Sequence, residues 1–294
     1  MLDLQSVGKI GLNIDIKMML DLLGKQSGAC RHSCPYCECM APWTCYCPAN
    51  TLGSLQDHHA RFILTGGRPQ NAKNHQNCIR PALLSGPPEL PVMKLIHFPE
   101  LHVMTGVTGK LVNELIDKFS SKEKGRKWVE EFMDDNNISW CAYRPSTFEG
   151  NQARKFLRLS SKLRQKARNL PLLDAVPVLQ FCHTLVVFNQ VVVSCFGQEL
   201  HSDYRTAIQS FSDNYRVLDI SITPKVHLVE RHAVEFIELM GGEAGLGKWS
   251  EQPFESVHAD FKKEWARTLV SANHVNYAEN LFAAVLRYNA KHVR

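Results

Sequence analysis

The chain has 294 residues, of which 44% are hydrophobic, and its formal net charge at neutral pH is +5. A chain of this length and apolar content can bury a sizeable core, which excludes a peptide too small to fold and leaves one large or two ordinary domains. The mild positive charge permits an anionic partner such as nucleic acid, but it does not require one.

The predicted elements begin with a short strand over residues 6–15, where apolar side chains alternate on one side. Residues 16–24 predict a helix that ends at a C-capping glycine. Residues 52–91 are rich in Gly, Pro, Asn and His, and we expect them to form a mostly irregular connection. Apolar spacing and capping residues predict further helices at 100–119, 125–135, 151–169, 175–196, 199–216, 224–240, 250–270 and 275–291.

Six of the ten cysteines lie between Cys30 and Cys47. The first residues of the sequence lack the basic and apolar regions of a secretory signal peptide, so we expect a reducing compartment. In such a compartment, clustered cysteines are more typical of metal ligands than of disulfides.

Residues 175–198 carry no charged side chain, so this stretch must be tested as a membrane span. It contains Gln180, His183, Asn189 and Gln190, whose polar groups would be costly in lipid. We therefore expect a helix buried in a globular core and no membrane partner.

Cys34 and Cys37 have the spacing of one half of a structural zinc site. His227 and His232 are separated by four residues, which is within the spacing used for the other half. On an ideal α-helix these two histidines would point about 140° apart, so either the helix is loosened at His227 or one of the two is not a ligand. The other cysteines of the cluster remain rival ligands, and a local all-cysteine site stays open: Cys30, Cys39, Cys45 and Cys47.

Asp15 ends the predicted strand, and Glu251 and Glu255 lie four residues apart, on one face of a predicted helix. Carboxylates from separate elements can clamp two divalent ions for phosphoryl transfer. The alternatives are an N-capping role for Asp15 and a solvated helix face for the two glutamates.

Seven Lys or Arg residues and no acidic residue lie between Gly150 and Leu173. Such a helix suits contact with a phosphate backbone, which is independent of base sequence and sensitive to salt. A solvated helix surface is the alternative interpretation. The basic residues are Arg154, Lys155, Arg158, Lys162, Arg164, Lys166 and Arg168.

Four blocks of the chain follow the order found in one known family. In the first block, Asp15 ends the strand and Cys34-x-x-Cys37 begins nineteen residues later. In the second block, the motif is Gly-Asn151-x-x-Arg154-Lys155.

The third block is Thr-Pro-x-x-His227-x4-His232, and the fourth runs from Trp249 through Glu255 to the next serine. Together the four blocks resemble the catalytic subunit of the V(D)J recombinase and the Transib-type DDE transposases. The resemblance covers nearly the whole chain.

The resemblance implies three sets of functional residues. Two acids would be catalytic ligands of Mg²⁺ or Mn²⁺, namely Asp15 and Glu255. Four residues would bind structural Zn²⁺, namely Cys34, Cys37, His227 and His232. Three residues would face DNA, namely Asn151, Arg154 and Lys155.

The resemblance also implies a mainly α fold, in which a zinc-stabilised helical insertion domain is attached to an incomplete ribonuclease H-like α/β core. Residues 1–25 would supply the last strand and helix of that core, residues 26–245 the zinc-binding helical insertion region, and residues 246–294 the carboxy-terminal helices bearing the third catalytic acid. The core is expected to be incomplete because the family's first catalytic aspartate lies far upstream of the second, whereas only fourteen residues precede Asp15.

The expected function is that of a fragment or relic of a nuclear DDE-type transposase or recombinase, a class that cleaves DNA and transfers strands with Mg²⁺, here inactive by itself. The alternative is a non-catalytic, zinc-stabilised module that binds DNA or protein. A third interpretation places a local zinc-ribbon-like domain on an unrelated helical bundle. DNA is the expected partner, and whether the chain forms a homodimer is left open.

Overall fold

The structure is a computed structural model. It describes residues 11–26, 30–43, 46–142, 144–250, 260–261, 263–264, 266–267, 270 and 275–292. The chain forms two compact units, Met1–Ser250 and Glu251–Arg294. The three-part division at residues 25 and 245 stays a prediction.

The fold is mainly α, as the sequence predicts. Ten α-helices in the larger unit are followed by one in the smaller unit, within the residues that the structure describes. They are α1 (Ile16–Leu22), α2 (Leu52–Leu64), α3 (Glu100–Ile116), α4 (Lys122–Asp135), α5 (Gly150–Arg158), α6 (Ser160–Ala167), α7 (Leu172–Cys195), α8 (Tyr204–Val217), α9 (Pro224–His227), α10 (Ala233–Leu239) and α11 (Tyr277–His292). A π-helical turn, Leu228–His232, joins α9 to α10. Short 3₁₀ helices cover Pro69–His75, Val92–Lys94 and Leu246–Trp249.

Helix α7 is the centre of the larger unit and packs against α3, α5, α6 and α8. It is apolar on most of its circumference, as expected of a helix surrounded by other helices. Phe181, Leu185 and Phe188 are almost fully buried. By length and composition alone α7 could also cross a membrane, and half of its most apolar window is buried inside the fold. The absence of a membrane partner therefore stays a prediction.

The sequence prediction of a mostly irregular stretch from residue 52 is wrong for α2. This helix begins with a capping box, in which the Thr51 and Ser54 side chains each accept a hydrogen bond from the other's backbone N–H. Leu52, Leu55 and Phe62 are buried on one side of it. Apart from Gly53, which lies in α2, the glycines and prolines that suggested a loop lie after the helix, from Gly66 onwards.

The predicted strand at residues 6–15 is described only from Gly11. This part is extended and forms one parallel bridge, between Leu12 and Ile96. Pairing is short because residues 92–94 form a 3₁₀ turn before the bridge and α3 begins at Glu100 after it. Among the described residues the structure has isolated bridges only, so a ribonuclease H-like sheet is not shown.

The predicted basic helix at residues 151–169 is two helices rather than one. Leu159 separates α5 from α6, with φ −96° and ψ 5°. Its backbone N–H is shared between the carbonyls of Lys155 and Phe156, at 3.3 and 3.1 Å. The basic residues therefore lie on two short helices and not on one continuous helix.

A buried ion pair ties four segments of the larger unit together. The Arg154 guanidinium donates to the Glu100 carboxylate and, at 3.2 Å, to the Phe196 carbonyl at the end of α7. Ser250 Oγ donates to the same carboxylate at 3.1 Å. The side chain of Glu100 is fully buried, whereas 26% of the Arg154 side chain is exposed.

Glycines allow the chain before Ser250 to approach the end of α7 closely. Gly245 N–H and Gly247 N–H donate to the carbonyls of Gln198 and Gly197, both at 2.9 Å. A Cβ atom at Gly245 would lie 2.3 Å from the Gly197 carbonyl oxygen, which no side chain could tolerate. The ion pair of Glu100 therefore lies beside a close contact between two backbone segments, which requires glycine at position 245.

The smaller unit is described mainly by α11. Glu264 is buried, and its carboxylate binds Arg267 at 2.8 Å and Lys291 of α11 at 3.4 Å. Phe261 and Tyr288 pack with ring centroids 6.0 Å apart. The predicted helix at 250–270 falls largely outside the residues that the structure describes.

We expect Glu100→Gln to lower the free energy of unfolding by about 2 kcal/mol. Removing one partner of a fully buried pair costs about 3–5 kcal/mol, and the partial exposure of Arg154 reduces this loss. Urea unfolding followed by circular dichroism measures the change. The matched control is Glu123→Gln, in the first turn of α4, where the side chain is exposed. Equal stability of the two variants would contradict a stabilising role for the ion pair.

Candidate metal centre

The first half of the candidate centre is the loop Cys34-Pro35-Tyr36-Cys37. Asn50 is fully buried, and its side-chain amide donates to the carbonyls of Cys34, Pro35 and Cys37 at 3.3, 2.9 and 3.1 Å. The backbone N–H of Asn50 donates to the Tyr36 carbonyl at 2.8 Å. These bonds curl the loop around one amide group, so the two thiols are held close together.

The second half is the π-helical turn between α9 and α10. Thr223 caps α9, and its side chain accepts a hydrogen bond from Val226 N–H. The Ala233 N–H then donates to the Leu228 carbonyl, five residues earlier, which widens the helix at this turn. The wider turn brings His227 and His232 to the same side, with ring centroids 5.0 Å apart. An ideal α-helix would point the two histidines about 140° apart, and the π-helical turn removes this mismatch.

The two halves meet at van der Waals distance. Cys37 Sγ lies 3.3 Å from Nε2 of both His227 and His232, and Cys34 Sγ lies 3.3 Å from His232 Nε2. All four ligand atoms are within 4.8 Å of one another. Tetrahedral zinc, with Zn–S near 2.3 Å and Zn–N near 2.0 Å, would place sulfur and nitrogen about 3.6 Å apart. The observed separations therefore fit one ion with little adjustment.

The donor set and its burial favour structural zinc. The exposed fractions of Cys34, Cys37, His227 and His232 are 0%, 4%, 4% and 2%. Two thiolates and two imidazoles in a closed tetrahedron are typical of structural zinc, whereas a catalytic site keeps one position open. Of the rival cysteines, Cys30, Cys39 and Cys47 do not belong to this group, which is the only such group among the described residues. Cys45 lies outside those residues.

The protonation of the two thiols also favours a cation between them. Burial opposes ionisation of Cys34, but hydrogen bonds from the Cys37 thiol and from backbone N–H groups lower the pKa of Cys34. The shared hydrogen bond and burial raise the pKa of Cys37. The hydrogen bond between the two thiols therefore favours ionisation of Cys34 and opposes ionisation of Cys37. A divalent cation removes this conflict because it stabilises both thiolates.

A carboxylate orients His232 from the far side of its ring. Glu235 Oε2 lies 2.7 Å from His232 Nδ1, so Nε2 is left to face the thiols. Burial alone would lower the pKa of His232, but the hydrogen bonds to Cys37 and Glu235 raise it. Carboxylate–histidine–zinc triads of this kind fix the ring and increase the basicity of the ligand. The sequence analysis missed Glu235, although its spacing of three from His232 in a helix could have indicated it.

Aromatic side chains cover the remaining sides of the centre. Trp43 packs against the His227 ring, with centroids 4.9 Å apart, and Tyr36 meets the His232 ring edge-on at 5.5 Å. The Tyr36 hydroxyl donates to the His97 carbonyl at 2.7 Å, which anchors the loop to the extended segment before α3. Water is thereby kept from the four ligand atoms.

Asp15, the predicted catalytic acid, is the N-cap of α1. Its Oδ1 accepts a hydrogen bond from Met18 N–H at 2.7 Å. No second group of three metal-binding side chains includes it within the part of the chain that the structure describes. Glu255 and Glu251 lie outside those residues. A Mg²⁺ or Mn²⁺ site at Asp15 and Glu255 therefore stays a prediction.

The three predicted DNA-facing residues lie on α5 but differ in exposure. Asn151 and Lys155 are exposed. Asn151 accepts a hydrogen bond from Gln152 N–H at 2.8 Å, and Lys155 donates to the Asn137 carbonyl at 2.9 Å. Arg154 instead turns inward and binds Glu100, because that buried carboxylate needs a charged partner. DNA contact by this helix stays a prediction, with Lys155 and the exposed Arg158 better placed for it than Arg154.

Comparison with known proteins identifies no family. No protein-family model matches the chain, and no curated protein matches it.

We expect the purified chain to hold one tightly bound zinc and to lose it in both His227→Ala and His232→Ala. Each substitution removes one of four ligands, and binding of structural zinc adds directly to folding stability. Elemental analysis after dialysis measures the stoichiometry. The control is His201→Ala, an exposed histidine near the end of the loop between α7 and α8. One zinc per chain retained in both ligand variants would contradict this centre and favour an all-cysteine site.

Proposed function

We propose that this chain is a zinc-stabilised, mainly helical part of a DDE-type DNA transposase or recombinase. The supporting observation is the ligand set itself. The resemblance to this family implies that Cys34, Cys37, His227 and His232 bind one zinc ion. In the chain, Cys37 lies 190 residues before His227, and Cys34 lies 198 residues before His232. Their convergence in one buried group is not expected from four unrelated residues. Within this proposal Zn²⁺ is structural and the protein is nuclear.

The proposed chemistry depends on two acidic residues, Asp15 and Glu255, of which the structure describes only Asp15. We propose Asp15 and Glu255 as ligands of Mg²⁺ or Mn²⁺, which would support attack of water and then of a DNA 3′-hydroxyl on a phosphodiester. Asp15 begins α1, and its carboxylate is held in one orientation by Met18 N–H.

DNA is the proposed partner, and the surface formed by α5 and α6 is the proposed contact. Lys155 and Arg158 on α5 and Lys162 on α6 are exposed, as is Arg168 directly after α6. Lys162 donates to the Asn136 side chain and Lys155 to the Asn137 carbonyl, so these two lysines are anchored directly after α4. A homodimer, in which two such surfaces act on one DNA, belongs to the same proposal.

A second candidate function is a non-catalytic zinc-stabilised module that binds DNA or protein. One observation favours it: Asp15 already has a structural role as the N-cap of α1. Among the described residues, the group of Cys34, Cys37 and the two histidines is the only one suited to a metal. The two candidates share the zinc centre and differ in whether a second, catalytic metal binds.

We expect binding to duplex DNA that weakens steeply with salt, and a smaller salt dependence after Lys155→Gln and Arg158→Gln. Each phosphate contact removed lowers the slope of log affinity against log salt by about 1. Fluorescence anisotropy with a labelled duplex of arbitrary sequence measures the slope. The matched control is Lys122→Gln, an exposed lysine on α4. Unchanged slopes in the α5 variants would contradict this contact, and absence of DNA binding at low salt would leave only a protein-binding module.

Catalytic metal binding separates the two candidates. We expect the zinc-loaded chain to bind Mn²⁺, measured by electron paramagnetic resonance, and Asp15→Asn to weaken this binding about tenfold. Asparagine still caps α1, so the substitution removes a charged ligand without removing the cap. The control is Asp21→Asn, at the end of the same helix, whose carboxylate pairs with Arg80. Equal Mn²⁺ affinity of the wild type and Asp15→Asn would favour the non-catalytic module.

A further inference from the structure

The first turns of α7 carry an exposed apolar stripe, formed by Leu172, Leu173 and Val176. These side chains are 80%, 82% and 56% exposed, although the same helix forms the centre of the larger unit. They fall within about 100° of the helix circumference, because each residue of an α-helix advances by about 100°. Gln180, one turn after Val176, continues this face and is also exposed. Apolar side chains that lie exposed side by side, unlike single ones, are typical of a contact with another molecule.

Basic side chains flank the α7 stripe. Lys118 Nζ lies 5.5 Å from the centre of the Phe181 ring. Burial and the positive charge of Arg164 both lower the pKa of His183, so the Arg164 guanidinium lies close to α7. Positions 181 and 183 are about 200° apart on a helix, so these two cations approach α7 from opposite sides. Arg168 is exposed at the turn from α6 into α7.

The flanking cations, Lys118, Arg164 and Arg168, form no ion pair in the part of the chain that the structure describes. Two nearby carboxylates are already neutralised, since Asp174 binds Lys124 at 2.5 Å and Asp117 binds Lys122 at 3.0 Å.

Glu123 is exposed in the first turn of α4, and its single charge could balance at most one of the three flanking cations. The surface at the start of α7 therefore combines an apolar stripe with an excess of positive charge. Its complement is a surface with exposed apolar side chains and negative charge beside them.

We propose that the α7 stripe and the flanking cations bind an amphipathic helix of a partner protein, with leucine-like side chains on one face and acidic residues on both sides of that face. Such a helix, laid along the start of α7, would bury the stripe and place its carboxylates beside the flanking cations. This interaction goes beyond the proposed function and depends on neither zinc nor DNA.

The charge and shape of the surface disfavour other occupants. A second copy of this chain would bring the same unpaired cations to the same surface, and like charges would repel. DNA would match the charge but would leave the leucines without an apolar partner. An anionic lipid surface would match both, but the stripe becomes polar at Gln180, whose amide is costly in lipid and can hydrogen-bond to a partner helix.

A designed peptide tests the proposal with the full chain. The probe is a fluorescein-labelled synthetic helix with leucine on one face and glutamate on both sides of that face. Its matched control is the same peptide with lysine in place of every glutamate. We expect the lysine peptide to bind about tenfold more weakly in fluorescence anisotropy, because it meets cations rather than pairing with them.

Leu172→Gln and Leu173→Gln should each weaken binding of the glutamate peptide about tenfold, since each removes apolar surface that the peptide would bury. Arg168→Gln should weaken it about threefold and reduce its sensitivity to salt. The matched controls are Leu64→Gln, at the 84% exposed end of α2, and Lys94→Gln, an exposed lysine of the 3₁₀ helix at 92–94. Both controls should bind the peptide as the wild type does. All four positions are exposed, so the substitutions leave the core intact.

No binding of the glutamate peptide, equal affinity for the two peptides, or unchanged affinity in both leucine variants would overturn the proposal. Vesicles of phosphatidylcholine and phosphatidylserine provide a separate measurement. Co-sedimentation that requires Leu172 and Leu173, without binding of the glutamate peptide, would overturn the proposal in favour of a lipid surface. These readouts involve neither metal nor DNA, so failure of the proposed function is a separate result.

Discussion

The larger unit depends on the convergence of two ligand pairs that are far apart in the chain. Cys37 and His227 are separated by 190 residues, yet their ligand atoms lie 3.3 Å apart. Closing a flexible loop of that length costs roughly 5 kcal/mol of chain entropy. Binding of zinc at a Cys₂His₂ site contributes roughly 10–16 kcal/mol, which exceeds this cost. The metal would therefore join α1 and the loop after it to the end of the helical bundle, while the core around α7 fixes what lies between.

The two histidines can act as a pair only because the helix that carries them is irregular. A regular α-helix would turn His232 about 140° away from His227. The π-turn at Leu228–His232 removes this mismatch. Such turns are rare, interrupt the regular α-helical hydrogen-bond pattern and are frequently found at functional sites. The irregular turn costs free energy locally. Binding of one metal ion by both histidine rings would offset that cost.

Much of the fold was predictable from the sequence because it depends on local pattern. The mainly α class and most helices are confirmed, since apolar spacing and caps such as Thr223 act over a few residues. Helix α2 was missed because its capping box was hidden beside a glycine- and proline-rich stretch. The break at Leu159 was missed because both flanking sequences are good helix formers and the turn is set by packing.

The candidate site was predictable to the level of ligand types and spacing, but not beyond it. The cysteine pair and the histidine pair are each indicated by their own spacing, and the resemblance joins them into one set of four ligands. Arg154 illustrates the limit: its motif suggested contact with DNA, whereas its partner Glu100 lies 54 residues away in the sequence and could not be inferred locally. Asn50 was missed for the same reason, because its role arises only where the folded chain brings its amide to the carbonyls of the Cys34–Cys37 loop.

The identity of the four ligands is the claim on which the rest depends, and zinc K-edge X-ray absorption of the purified chain measures it most directly. The structure predicts two sulfur neighbours near 2.3 Å and two nitrogen neighbours near 2.0–2.1 Å, in the range of structural Cys₂His₂ sites. The His227→Ala variant should lose this signature. A first shell of four sulfur atoms would contradict the centre, because it would place the metal on cysteines of the amino-terminal cluster alone.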